Sequence, residues 1–310
     1  MVMSIYYRLS TTDDREERIE DDEMRDALMR AWPDRLVILK SEDKFPEDGL
    51  ALGRRKRNEI CKASHLAYWQ DAGFQSGISR SFSLCDLSGA KERIQSLHDL
   101  GKDVFLKATE SKLMVAKVAQ GETIYDAIGD LIYSFVDKPD CLLVQEFIEM
   151  RNEHRFIVMD GEIVTHSPVQ TDLTPRVREE MVDIFQGGKV SGSQIGDLHY
   201  PTPSSDSVPR HDPDLTQEMI ECVQGVIEKS DYLDVVVDVC ETLDGRIEVI
   251  EFNPMIPGAV GLFGCDPDAI ANACDKLAPR ARNFHVKSRK SLIVDLVQSQ
   301  AEDEEPFLDV

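Results

Sequence analysis

Apolar and polar positions alternate with a period of two in several short stretches of the chain and recur at helical spacing between them. Val235, Val237 and Val239 alternate with Asp234, Val236, Asp238 and Cys240, which is the period of a strand. A second Val- and Ile-rich run follows, and Asp244-Gly245 between the two is a strong hairpin signal, because both central positions of such a turn need positive φ. A two-residue loop there puts Leu243 opposite Arg246, Cys240 opposite Val249 and Asp238 opposite Glu251. Opposed residues share a face, and Asn253 lies two residues further along it. A second hairpin is expected around Asp160-Gly161, joining 154–159 to 162–165, with Arg155 opposite His166 and on the face of Glu153. Further strands are expected at 4–10, 36–39, 78–84, 104–107, 113–118 and 142–147.

Helical spacing fills the gaps. Met24, Ala27, Leu28, Ala31 and Trp32 share one face before Pro33 stops the helix. Residues 59–70, 86–100 and 215–227 read as helices, as does a last one begun by Asp266-Pro267 with Ile270, Cys274 and Leu277 inward. Ser88 is the expected N-cap of the helix at 86–100 and Gly101 its C′ residue. The clearest helix is 122–136, where Ile124, Ala127, Ile128, Leu131, Ile132 and Phe135 form a full apolar stripe. Strand, helix, strand at the start suggests a small βαβ unit. Residues 41–53 read as loop, the acidic run 13–23 as a solvated face, 168–213 as an irregular stretch that is either a functional loop or a disordered insertion, and the tail from Ala301 as solvated.

Charge narrows the partners. The 310 residues carry a formal net charge of −23, which opposes general binding to nucleic acid or an anionic membrane. The one dense basic cluster, residues 54–57, reads as a solvated turn. No run of 18 apolar residues is present, and the N-terminus turns acidic too early for a signal peptide. Seven scattered cysteines without a CxxC pair point to reduced thiols in a cytoplasm and give no zinc site.

The chemistry lies on the 235–254 hairpin. Like charges directly opposed weaken a sheet, and a divalent cation between Asp238 and Glu251 turns repulsion into ligation. Asp, Glu and Asn oxygens are hard ligands suited to Mg²⁺, so Asp238, Glu251 and Asn253 form a candidate metal set. The competing reading is a solvent-facing acidic edge.

The succession helix, GFQSGISRSF, helix, DVFLK, turn, MVAKV, helix, LLVQEFIE, hairpin, helix, DVCETLDGRIEVIEFNP resembles the ATP-grasp superfamily from about Gly73 to Gly264. The RFIVMDGEIV hairpin resembles the divergent clade named for two arginines and a lysine. That clade includes phage and bacterial proteins, and a related branch holds the cell-division-cycle assembly factors of eukaryotic translation initiation. The resemblance implies an α/β (α+β) fold in which two α+β subdomains clasp a nucleotide behind a short βαβ pre-ATP-grasp unit. It divides the chain into a pre-ATP-grasp domain at 1–84, a small subdomain at 85–145, a large subdomain at 146–280 and an acidic extension at 281–310. It implies ATP and Mg²⁺ as cofactors and Asp238, Glu251 and Asn253 as the metal ligands. Lys107 would pair with nucleotide phosphates, as would Lys117 unless it is only a strand-edge charge. Backbone groups of Gln145, Glu146, Phe147 and Ile148 would read the adenine edge, and Glu149 the ribose. Arg155 would hold the γ-phosphate or an acyl-phosphate oxyanion, unless it only pairs with Glu153. Arg155 and Lys107 are thus the implied catalytic pair.

The implied activity joins a small-molecule or peptide carboxylate to an amine or thiol acceptor, with the acceptor near 253–261. Arg176, Arg178, Lys189 and Arg210 in the insertion either serve an anionic substrate or are ordinary surface charges. The phosphate loop departs from the family pattern: ATESKL is short and has no glycine, leaving the amides of Ser111 and Lys112. That departure and the acidic tail suit a different class, an ATP-binding assembly factor without acceptor chemistry; a phosphotransferase on the same fold is a third.

Overall fold

The computed structural model describes residues 4–9, 15–46, 49–53, 67–108, 114–136, 138–139, 141–168, 213–255, 261–262 and 264–277. The basic cluster 54–57, most of the expected helix 59–70, Ser111 and Lys112, the four basic residues of the insertion and the acidic tail lie outside them.

Strands β1 (Ile5–Arg8), β2 (Leu36–Leu39) and β3 (Leu50–Gly53) form a parallel sheet in the order β2-β1-β3. Helix α1 (Arg15–Ala31) connects β1 to β2. Strand β3 falls inside the segment expected to be loop. Its Leu50, Ala51 and Leu52 are all buried, so the non-alternating run of a parallel strand was hidden behind Pro46 and the glycines. The acidic run is not wholly solvated either: Asp21 turns inward and accepts a hydrogen bond from the buried Tyr7 hydroxyl.

A short helix, α2 (Ala72–Ser76), is capped by Asp71, whose carboxylate accepts from the Phe74 amide. Beyond it, β4 (Phe82–Cys85), β5 (Val104–Ala108), β6 (Val115–Val118) and β7 (Leu142–Glu146) make an antiparallel sheet, β4-β7-β5-β6. Helices α3 (Leu87–Asp99) and α4 (Ile124–Ile128) cover one face of this small sheet with Ala90, Ile94, Leu97, Ile124 and Ile128. Asp86, not Ser88, caps α3: it has extended backbone and accepts from the Gly89 amide. The stripe at 122–136 is not one helix. Gly129 at φ +52 breaks it, and a 3₁₀ segment at Gly129–Phe135 continues. The tighter winding keeps Ile132 and Phe135 buried but turns Leu131 out to solvent.

The third sheet is antiparallel in the order β11-β10-β8-β9, from β8 (Met150–Met159), β9 (Glu162–Pro168), β10 (Val235–Thr242) and β11 (Ile247–Pro254). Both its faces are used. One carries Phe156, Val158, Val235, Val237, Val249 and Phe252 against Phe74 of α2 and Met219, Val223 and Val226 of α5 (Pro213–Lys229). The other carries Ile157, Met159 and Val236 against Ile5, Tyr7, Met24 and Leu28, closed by Ile270 and Cys274 at α6 (Pro267–Ala273). Each fully buried aliphatic of this kind contributes about 1.5–3 kcal/mol. One step further along this second face, the next residues in register are Arg155, Asp238 and Glu251. The parallel sheet thus packs one end of the large sheet, and the charged cluster begins where that apolar cover ends.

Both hairpins carry a bulge that the two-residue turns do not foresee. At Asp244-Gly245 the loop has three residues: the Gly245 amide donates to the Thr242 carbonyl, and Thr242 pairs with Arg246. Cys240 therefore faces Glu248, not Val249. An extra residue, Ile250, then bulges out, and Asp238 faces Glu251 as expected. At Asp160-Gly161 the turn is as expected, but a bulge past Val158 sets Arg155 opposite Ser167 and gives His166 to Phe156.

Candidate functional site

The site is a charge cluster between the small and large sheets. On the large sheet Asp238, Glu251 and Asn253 converge. The Asn253 side-chain amide donates to Asp238 Oδ2 at 3.1 Å and to Glu251 Oε1 at 2.9 Å. Arg155, one strand over, lays its fork on Asp238 with Nε to Oδ1 and Nη2 to Oδ2, both at 2.8 Å. Its third nitrogen donates to the Gly261 carbonyl at 2.6 Å, and the Leu262 amide donates to Glu20 of α1 at 3.0 Å. From the small sheet, Lys107 at the end of β5 reaches across to Glu251. The expected carboxylate pair is present, but it is not a bare like-charge contact: each member holds a cation.

These neighbours set the ionisation. Burial pushes the Asp238 carboxyl up; the Arg155 fork pulls against it, Glu251 adds to it, and the net direction is upward. Burial acts to raise Glu251 too, but Lys107 and Asn253, with Arg155 behind them, hold it at about 2. Burial acts to lower Arg155, and Asp238 and Glu251 more than offset it, so the guanidinium is held firmly charged. The sign for stability follows. A carboxyl depressed on folding stabilises the fold above its ordinary pKa, and that contribution disappears as pH falls through the folded value. The stability gap between wild type and Glu251→Gln should therefore be widest above about pH 4.5, reach up to about 3 kcal/mol, and close toward pH 2. Urea midpoints of both proteins across that range measure it; a gap constant with pH would show that Glu251 is not held ionised by these groups.

The remaining expected residues fall into two places. Gln145 is buried on the cleft side of β7, in register with Phe82 and Phe105. Lys117 of β6 pairs with Asp103 at 2.6 Å and lies 4.4 Å over the Phe147 ring. Glu146 pairs with Lys102 at 2.7 Å. The amides of Glu146 and Phe147 donate to the carbonyls of Ser81 and Asp103, and Ile148 follows at the strand end. Glu149 is exposed, and its carbonyl accepts from the Leu243 amide. His154 and His166 stack in line with Phe156 on the covered face of the large sheet, away from the cluster.

Sequence reasoning missed Arg80. This buried arginine donates to Gln145, Glu248 and the carbonyls of Val249 and Ile250, tying β7 to β11. Its partners lie 65 to 170 residues away, so no local spacing marks it. Among the described residues no group of three His, Cys, Asp or Glu side chains forms a metal cage; the cluster offers two carboxylates and an amide. No helix among them is long and apolar enough to cross a membrane.

Two antiparallel sheets closing on one shared charge cluster define an ATP-grasp domain. Residues 79–273 match the family model described as the ATP-grasp domain, R(2)K clade family 2, and the chain belongs to that family. The match begins just ahead of β4, so β1 to β3, α1 and α2 stand outside it. The curated proteins give no match to the sequence. Similar solved structures include D-cycloserine synthetase DcsG, at 12% identity and a TM-score of 0.49 over 88% of this chain and 100% of that one. D-alanyl-alanine synthetase A from Vibrio cholerae is similar at 14% identity and a TM-score of 0.45, over 97% and 99%. A RiPP-associated ATP-grasp ligase from Chryseobacterium gregarium, in complex with ADP and a leader and core peptide, is similar at 10% and 0.43, over 89% and 97%.

Proposed function

We propose that the chain is an ATP- and Mg²⁺-dependent ligase that joins a carboxylate, small or peptidic, to an amine or thiol. The observation that supports this most is Lys107 reaching from the small sheet onto Glu251 of the large one, beside Asp238 and Asn253. The residues fit the group the family implies. The Asn253 amide lies within hydrogen-bond distance of both carboxylates, so three hard oxygen-bearing groups are gathered at one point. The Asn253 amide turned about would offer its oxygen instead of its nitrogen. Asp238, Glu251 and Asn253 would hold Mg²⁺, which when bound supplies charge neutralisation for the phosphates of ATP.

Lys107 would exchange Glu251 for phosphate, and Lys117 lies on the same side of the small sheet. Arg155 keeps Asp238 and the loop at Gly261 in place, and these bonds engage three of its five N–H donors. With Glu146 and Phe147 amides already engaged, an adenine edge would be read at Ile148, with Glu149 near the ribose. In the reaction a substrate carboxylate oxygen attacks the γ-phosphorus and ADP leaves. The amine then attacks the acyl carbon, loses a proton, and phosphate departs. The small subdomain at 85–145 and the large one at 146–280 would clasp the nucleotide, with the cofactor between them.

ADP with Mg²⁺ should raise the melting temperature, by an amount equivalent to about 2.7 kcal/mol at a hundredfold excess over its Kd. ADP release should then depend on a carboxylate and an amine together, screened across amino acids, small diacids and peptides. No thermal shift in folded protein at millimolar nucleotide would sink the reading. Binding without acceptor-dependent release would move it to a nucleotide-binding assembly factor.

A further inference from the structure

We infer that Arg80 is a positioning residue for Glu251: it clamps the β11 bulge and so decides which face of the large sheet that carboxylate occupies. The inference rests on the reading of Glu251 as a ligand in the ATP site. The three-residue turn at 243–245 sets the ladder at Glu241 to Ile247 and Cys240 to Glu248. Continued without interruption, that register would bring Ile250 opposite Asp238 and Glu251 opposite Val237, on the apolar face with Phe74 and Met219. A slip of one residue flips every side chain beyond it. The bulge at Ile250 absorbs the slip and returns Glu251 to the side of Asp238.

β11 is the edge strand of its sheet and bulges here, so backbone groups around Val249 and Ile250 face away from the ladder, and the 77–80 segment takes them up. The Val249 amide donates to the Gly77 carbonyl at 2.8 Å. Arg80 donates from Nη1 to the Val249 carbonyl and from Nη2 to the Ile250 carbonyl, each at 2.7 Å. Its Nη1 also reaches Glu248 at 3.2 Å, and its Nε donates to Gln145 at 2.9 Å. The side chain is 1% exposed and stacks over Trp69. Glu248 is held a second time by Arg246 and by Ser79. Only a planar fork with several donors satisfies two carbonyls, a carboxylate and an amide oxygen together; an ammonium cannot. Because Gln145 sits on the strand proposed to face the nucleotide, the same guanidinium ties that strand to the metal carboxylate.

The test is Arg80→Lys, alone and with Glu251→Gln. It is read by amide hydrogen exchange of β11 without nucleotide and by the Mg²⁺ requirement of ADP binding in calorimetry. Exchange at Val249 and Glu251 should rise, and the Mg²⁺ concentration for half-saturation should increase by roughly tenfold or more. The Mg²⁺ effect should vanish when Glu251 is already glutamine, since Arg80 acts through it. Unchanged exchange, or a Mg²⁺ effect that persists with Glu251→Gln, overturns the inference. Raised exchange in a protein whose wild type binds no nucleotide supports the clamp and overturns the ATP reading. If Arg80→Lys fails to fold, deletion of Ile250 carries the test. A regular ladder then sets Glu251 opposite Asp238 unaided, so Arg80→Lys should fold in that background. Failure to fold there makes Arg80 a general packing group and removes the inference.

Discussion

Arg155→Met should cost the nucleotide-free protein on the order of 3–5 kcal/mol, seen as a lower urea midpoint at unchanged slope. The fork holds both oxygens of Asp238, and the two side chains are 8% and 2% exposed. Removing it leaves Asp238 buried without its cation beside an ionised Glu251, and takes a donor from the Gly261 carbonyl. The opposite substitution should behave differently. Burial already pushes the Asp238 carboxyl up, so Asp238→Asn returns desolvation energy while it gives up the ionic half of the fork. These oppose each other, and the net change should be small. The double variant Arg155→Met with Asp238→Asn should then recover part of what Arg155→Met alone loses. Equal costs for the two single variants would mean that the pair acts as an ordinary symmetric ion pair. The large cost also bears on kinetics: a turnover defect in Arg155→Met has to be measured on protein shown to be folded.

The opposition of Asp238 and Glu251 is legible in the sequence because alternation and an Asp-Gly turn are local signals, and local signals survive without a structure. The route to it is not legible. Two deviations, a three-residue loop and a bulge, cancel at the one pair that matters, and neither leaves a mark in composition. The Asp160-Gly161 hairpin has a bulge with nothing to cancel it before Arg155, so its partner was misplaced by one residue. Strand β3 and the break at Gly129 were missed for a related reason. Four buried residues have no period to read, and a glycine inside a strong apolar stripe looks tolerable until its φ is known. Long-range charge pairing is the least legible of all. The counter-ions of the two carboxylates come from β8 and β5, 83 and 144 residues away in sequence. A reading confined to the hairpin therefore saw repulsion where the fold supplies compensation.

That compensation makes Lys107 the residue whose removal should move two measurements in opposite directions. In the nucleotide-free protein its ammonium sits on Glu251, with side-chain exposures of 16% and 26%, so solvent screens the pair only in part. A metal ion ligated by Glu251 competes with that ammonium for the same carboxylate. Lys107→Met removes the competitor, and Mg²⁺ alone should bind tighter by about tenfold, roughly 1.4 kcal/mol. The same change strips the small sheet of the cation proposed for the phosphates. Nucleotide-dependent turnover should then fall by about 10²–10³, the scale of losing one charge-stabilising donor in a closed site. Calorimetry with Mg²⁺ alone and ADP release with a productive substrate pair measure the two effects on one protein. A lysine that only balances surface charge would shift both by little. A lysine that serves the fold alone would weaken both together. Tighter metal binding with lost turnover is the result that requires Lys107 to exchange one anion for another, from Glu251 to phosphate, as the cleft loads.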